Sequence, residues 1–216
     1  MAIQNGKNFV DKSTWNAANI AINNTNVTTP GEINAMFAAI GVTVNYGSQD
    51  DLGKRIEIAE ANAAAFTYTP NGTLYGGVYQ LVQVDSGATA LKVGVGLAAF
   101  LKQGNTNAQN YVVTSEDQAI TIGMLCGVFL NTITPGNFGF IQVAGKVNVK
   151  YKAGVTATVD GGAVIVAGAG DGTFDCPTQS GSVTYTNIGA WVGNALATPV
   201  GGSTLPVQMR SIFVRS

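Results

Sequence analysis

FGFIQVAGKVNVK, residues Phe138–Lys150, alternates apolar and polar side chains almost without a slip. A period of two is the signature of a β-strand with one face in a core and the other in water. Ile141, Val143, Val147 and Val149, with Tyr151 just beyond, fall on one face. Gln142, Lys146, Asn148, Lys150 and Lys152 fall on the other. Gly145 stands in the middle on the apolar parity. A single-residue bulge would shift the facing of everything after it. The parity is the same on both sides of Gly145, so the glycine reads as a bend in a long strand, or as a point where another backbone packs close.

The same alternation recurs outward from this strand. VYQLVQV (78–84), LKVGVG (91–96), NYVVTS (110–115), QAITIG (118–123) and MLCGVFL (124–130) precede it. GVTATV (154–159), GAVIVAG (162–168), SVTYTNIGAWVG (182–193) and LPVQMRSIFV (205–214) follow. The gaps carry turn formers, as in DSGAT, NTNAQN, ITPGN and VDGGA. Many short strands separated by turn chemistry predict a mainly β chain, an antiparallel β-sandwich or a small β-barrel.

Upstream of about residue 67 the period changes. STWNAANIAINN (13–24) offers Ser13 as an N-cap with Trp15, Ala18 and Ile22 at helical spacing. TPGEINAMFAAIG (29–41) offers a second helix with Ile33, Phe37 and Ile40 on its apolar face and Gly41 as a stop. SQDDLGKRIEIAEANAAAF (48–66) reads as a third. Its stripe of Leu52, Ile56, Ala59, Ala63 and Phe66 has the 4-3-4-3 spacing of a short coiled-coil seam, or of a helix lying on the next domain. TYTPNGTLYGG (67–77) then gathers Pro70, Asn71 and several glycines. The expected division is an N-terminal helical arm, residues 1–67, and an antiparallel β domain, residues 68–216.

Composition narrows the function classes. Charged residues are 11% of the 216, and 11 Lys plus Arg against 12 Asp plus Glu give a net charge of −1. No broad field exists to attract nucleic acid or an anionic membrane, so neither is expected as a partner. The N-terminus lacks the apolar core of a signal peptide, and a cytoplasmic site of synthesis and assembly is expected. The chain contains no histidine, which removes the usual general base, the Ser-His and Cys-His nucleophile pairs and the commonest metal ligand. Asp160, Asp171 and Asp175 could pair as catalytic acids, and Asp171 and Asp175 with backbone carbonyls could make a weak calcium site, but Asp160-Gly161 and Asp171-Gly172 stand in turn sequences that explain them. An enzyme is not expected, and no catalytic, cofactor-binding or metal site is assigned. Cys126 reads as a small buried apolar residue. Lys146, Lys150 and Lys152 read as a solvated face, as protection of an edge strand, or as a contact to an acidic neighbouring protein.

TPGNFGFIQVAGKVNVK (134–150), AGVTATVDGGAVIVAGAGDGTFD (153–175) and the closing IGAWVGNALATP (188–199) and LPVQMRSIFV (205–214) together resemble bacteriophage head decoration, or cement, proteins. The resemblance covers about the C-terminal half. It implies a structural homotrimer on the outer surface of the virion head, bound to the major capsid protein and stabilising its lattice. The helical segment before residue 67 would then be an arm reaching a neighbouring subunit, and a chain cut at residue 66 would leave a folded β domain. The alternative is a trimeric receptor-binding module of a phage tail fibre or spike, for which Tyr75, Tyr79 and Trp191 are the candidate exposed aromatics.

Overall fold

A computed structural model describes residues 7–8, 22–46, 51–58, 76–88, 94–102, 111–115, 125–155, 163–166, 172–176, 191–198 and 200–209. In chain order these form β1 (Lys7–Asn8), helix α1 (Gly31–Ala38), β2 (Arg55–Ile58), β3 (Gly77–Val84), β4 (Ala98–Leu101), β5 (Val112–Thr114) and β6 (Leu125–Phe129). The long β7 (Phe138–Lys150) follows, then β8 (Ala163–Val166), β9 (Phe174–Asp175), β10 (Trp191–Ala195) and β11 (Thr204–Met209). The described strands run in the order β1-β2-β3-β5-β4-β6-β7-β11-β10-β8-β9, and β3 also pairs with β7. That extra pairing closes β3, β5, β4, β6 and β7 into a five-stranded barrel. Of the two expected architectures, the barrel is the one formed. It is not wholly antiparallel, because β3 and β5 run parallel, with Gln83 opposite Val112 and Val84 opposite Val113.

All five barrel strands contribute to one compact apolar cluster: Val82 and Val84 from β3, Ala99 from β4, Val113 from β5, Cys126 and Phe129 from β6, and Ile141 and Val143 from β7. Side chains that converge from every strand of a closed sheet fill its interior. The outward face of the same strands, including Tyr79, Leu81, Phe100, Val128 and Phe140, belongs to a second and larger cluster. The barrel is therefore buried on both sides over much of its wall.

Two-sided burial changes the reading of β7. Val78 pairs with Ala144 and Tyr79 with Gln142, so Val143 is an extra residue opposite a single step of β3. The strand does contain a bulge. Before it, Phe138 and Phe140 face the outer cluster while Ile141 and Val143 face the barrel interior. After it, Val147, Val149 and Tyr151 face the outer cluster. The bulge thus moves the outer-core positions from even to odd numbers. Alternation appeared unbroken in the sequence because Ile141 and Val143 are buried as well, on the other side of the wall. The Gln142 amide holds the bulge by donating to the carbonyls of Ala144 at 3.1 Å and Lys146 at 2.7 Å.

Gly145 follows directly, in the left-handed region at φ 98°. A Cβ here would lie 2.7 Å from the Gly76 carbonyl oxygen and 3.0 Å from the Gly77 Cα. Close approach of another backbone is the reason for the glycine. Gly145 pairs with both Gly77 of β3 and Met209 of β11, so β7 passes at this residue from the barrel to the second part of the sheet. A similar shift occurs on β6, where Ala99 opposes Gly127 and Phe100 opposes Leu125, leaving Cys126 as the extra residue.

The described part of the N-terminal region packs into the outer cluster. Helix α1 forms as its pattern predicts, with Ile33 and Phe37 fully buried and Gly41 at φ 75° after its end. At its start the Thr28 and Thr29 hydroxyls donate to the Glu32 carboxylate and hold that carboxyl below the usual carboxylate range. The Phe140 ring meets Phe37 edge-on at 6.4 Å and Tyr46 at 5.8 Å. Asn34 fastens the return of the chain: its Oδ1 accepts from the Tyr46 amide at 2.8 Å, and its Nδ2 donates to the Tyr46 carbonyl at 3.3 Å. Of the first expected helix, only residues 22–24 are described, with Ile22 and Asn23 helical and Ile22 buried.

The helix expected over 48–66 is corrected in its described part. Residues 51–53 turn, with Gly53 at φ 84°, and Arg55–Ile58 is a strand antiparallel to β3. The open edge of β3 supplies the reason: Gly53 donates to the Leu81 carbonyl at 2.8 Å and Leu81 to the Lys54 carbonyl at 3.0 Å. A left-handed glycine followed by β-branched Ile56 and Ile58 takes this edge readily, and tertiary pairing overrides the weak helical spacing. Leu52 and Ile56 are buried in the chain's own core rather than in a helical seam. Ala59, Ala63 and Phe66 lie outside the described residues.

Two outcomes follow. Gly154 also has positive φ, at 78°, but a Cβ there would meet nothing within 4 Å. Gly154→Ala is expected to cost about 1–2 kcal/mol, the left-handed penalty alone. Gly145→Ala is expected to cost clearly more, and equal melting temperatures for the two would remove the close-approach explanation. Because Ile33, Phe37, Tyr46 and Ile56 share one cluster with the strands, a chain lacking residues 1–66 is expected to lose its cooperative melting transition rather than leave a folded β domain. Retention of that transition by calorimetry would contradict this packing.

Candidate interaction face

Beyond Gly145 the second half of β7 pairs with β11, and β11 with β10, all antiparallel. One face of this three-stranded sheet is closed: Val147, Val149, Val207, Met209 and Ala195 are buried in the outer core cluster. The opposite face carries the polar parity of each strand. On β7 it presents Lys146, Asn148 and Lys150, of which Lys150 is exposed and the other two are half-buried. On β11 it presents exposed Thr204 and Gln208 with half-buried Pro206 between them, and on β10 exposed Asn194.

The register sets these residues in rows. Gln208 pairs with Lys146 on one side and Asn194 on the other; Pro206 pairs with Asn148; Thr204 pairs with Lys150. Leu196 continues β10 by donating its amide to the Pro206 carbonyl at 3.0 Å. It thereby joins the middle row, and its side chain is 44% exposed. Val200, in the connection from β10 to β11, is the other large hydrophobic exposed among the described residues.

Lys146 and Lys150 thus share the face on which their spacing placed them. Lys152 has a different environment, since its ammonium is ion-paired with Asp175 of β9 and its amide donates to the Phe174 carbonyl at 3.0 Å. A half-exposed pair of this kind contributes little to stability. It does commit Lys152 to its own chain. The lysine-bearing half of β7 pairs with β11, while β3 and β6 pair with residues 138–145. Leu196, Pro206 and Gln208 were not identified from the sequence as part of a face. The alternation in TLPVQM was the available signal, and only the register with β7 gives it meaning.

The remaining candidates are placed as follows. Asp175 holds Lys152 and accepts the Cys176 amide at 2.8 Å, while Asp160 and Asp171 lie outside the described residues. Among the described residues no three Cys, Asp or Glu side chains gather as a metal cluster would, and no helix is long and apolar enough to cross a membrane. Tyr79 is fully buried in β3 and is not a loop aromatic. Tyr75 lies outside the described residues, and Trp191 is described only as backbone in β10.

Both cysteines are free and buried. The Cys126 thiol donates to the Ala99 carbonyl at 3.1 Å inside the barrel, and burial pushes it far above the ordinary thiol range. Cys176 lies beside the Tyr151 hydroxyl, and burial raises both groups.

Comparison with protein-family models, with curated proteins and with solved structures finds no match for this chain.

Thiolate is the reactive form of cysteine. Raising the pH from 7 to 9 is therefore expected to leave iodoacetamide labelling of Cys126 slow in the folded protein, with labelling tracking unfolding. Mass spectrometry of the labelled peptide checks this, and rapid stoichiometric labelling of folded protein at pH 9 would contradict the buried placement.

Proposed function

We propose that this chain is a structural protein of a bacteriophage virion, bound to the outside of the head as a homotrimer and stabilising the lattice of the major capsid protein. One observation carries the reading. The segments that resemble decoration proteins are separated in sequence, yet their described parts form neighbouring strands: β7, β11, β10 and β8 in that order, with β9 beside them. The resemblance thus maps onto one continuous piece of sheet, built on the strand that also closes the barrel. The neutral-polar composition and the absence of histidine fit a role in which the protein contacts other protein surfaces and performs no chemistry. The tail-fibre alternative has less support, since Tyr79, one of its candidate aromatics, is a core residue.

The test is electron cryo-microscopy of purified particles together with the native mass of the isolated protein. Density for the five-stranded barrel on the head exterior and a mass of three chains are expected. Density confined to the tail would overturn the location, and a monomer both in solution and on the particle would overturn the trimer.

A further inference from the structure

The strand order contains a second closure. From the outer half of β7 the sheet runs through β11, β10 and β8 to β9, and β9 returns to the end of β7. Phe174 forms a parallel bridge with Tyr151, the residue after Lys150, and the Lys152 amide donates to the Phe174 carbonyl at 3.0 Å. The edges agree with a ring. The Tyr151 amide donates to Ser203, just before β11, at 2.9 Å, while the amides of Lys150 and Lys152 point to the opposite edge, towards Gly96 and Phe174. Val147, Val149, Phe174, Ala195 and Val207 of these strands share one buried cluster with Tyr151.

The two closures are unequal. The barrel is shut by β3 and β7, paired from Gly77 opposite Gly145 to Gln83 opposite Phe138. The second ring is shut at the single Tyr151–Phe174 bridge, by a strand only two residues long that meets β8 through Ile165–Asp175 and Val166–Phe174. The ion pair of Lys152 with Asp175 lies on this seam, but it is partly exposed and contributes little. What holds β9 is chiefly the fully buried Phe174 side chain. Segments with few hydrogen bonds open before the rest of a fold. Gly172 is fixed more firmly: its carbonyl accepts the Ala98 amide at 2.7 Å, and a Cβ on it would lie 2.8 Å from the Ser115 Cβ.

We propose that β9 is a clasp, which closes the outer strands into a second ring and opens locally from its anchor at Gly172 while the five-stranded barrel stays shut. Closed, it covers the edge of Tyr151 and Lys152, and so keeps an unpaired strand edge from other chains. Open, it bares that edge together with Cys176, which the closed form leaves 5% exposed beside the Tyr151 hydroxyl. Cys126 lies in the barrel cluster, with its thiol donating to the Ala99 carbonyl. The two thiols therefore report the two closures separately.

The experiment labels the full-length folded protein with iodoacetamide at about pH 8, where thiols freed by opening react as thiolate. Peptide mass spectrometry gives a rate for each cysteine, which is divided by its rate in the unfolded chain. Cys176 is expected to label at least tenfold faster than Cys126. Its rate should hardly change with urea below the unfolding transition, because local opening exposes little surface, whereas the Cys126 rate should climb. Phe174→Ala is expected to raise the Cys176 rate tenfold or more and the Cys126 rate by a smaller factor. Should that variant lose the native melting transition, Phe174→Leu takes its place, with a smaller rise in the same direction. Equal normalised rates and equal urea dependence of the two cysteines in wild type would overturn the clasp, since ring and barrel would then open together. Fast Cys176 labelling that the Phe174 variant leaves unchanged would overturn it as well, because the thiol would be reachable with β9 closed.

Discussion

At Gly145 one backbone position meets two neighbours, Gly77 of β3 and Met209 of β11. Contact with the Gly76–Gly77 backbone is too close for a Cβ, and the residue sits at positive φ. Only glycine meets both conditions without strain. The bulge at Val143 immediately before it is the other half of the arrangement. Together they let β7 serve as a wall of the barrel in its first half and as a strand of the outer sheet in its second, while Phe140 and Val147 still face the same core. Were the strand continued without the extra residue, its odd-numbered side chains after Gly145 would follow Ile141 and Val143 towards the other face.

The two apolar clusters follow from that crossing. A five-stranded barrel is small, and its interior is filled by short or medium side chains such as Ala99, Val113 and Cys126 around Phe129. Such a barrel still has an apolar outer wall, and the wall needs cover. Helix α1, the segment through Tyr46 and strand β2 cover it from the N-terminal region, while β10 and β11 extend the same cluster from the other end of the chain. The described N-terminal residues thus share one apolar cluster with the strands. The rings of Phe37 and Tyr46 enclose Phe140, a residue of the very strand that closes the barrel.

The polar outward face of β7, β11 and β10 is a by-product of the same geometry. Once β7 has left the barrel, one side of its sheet serves the core and the other carries polar side chains such as Asn148, Lys150 and Gln208. The lysine that lies nearest the next internal element, Lys152, is drawn into an ion pair with Asp175. Its two predecessors at i−2 and i−6 stay on the outward face.

Much of the architecture is legible in the residues themselves. The period of two in VYQLVQV and FGFIQVAGKVNVK and the short apolar run MLCGVFL place β3, β7 and β6, and the spacing of Ile33 and Phe37 with a glycine stop places helix α1, because these signals are local. The absence of histidine and the near-neutral charge likewise bound the chemistry without any structure. What the residues alone misstate are relations between distant segments. Arg55–Ile58 has helical spacing but forms a strand, because the edge of β3 offers hydrogen bonds that no local pattern can reveal. The bulge in β7 is invisible because both sides of the wall are apolar, so parity no longer distinguishes core from surface. The rows that join Leu196 and Pro206 to Asn148, between Lys146 and Lys150, exist only through register. The amino-acid sequence by itself determined which segments can be strands; the need for glycine at position 145, closure of the barrel and the meeting of its outer face with the N-terminal segment were decided by tertiary pairing, where hydrogen bonds and burial between residues far apart in the chain outweigh local preference.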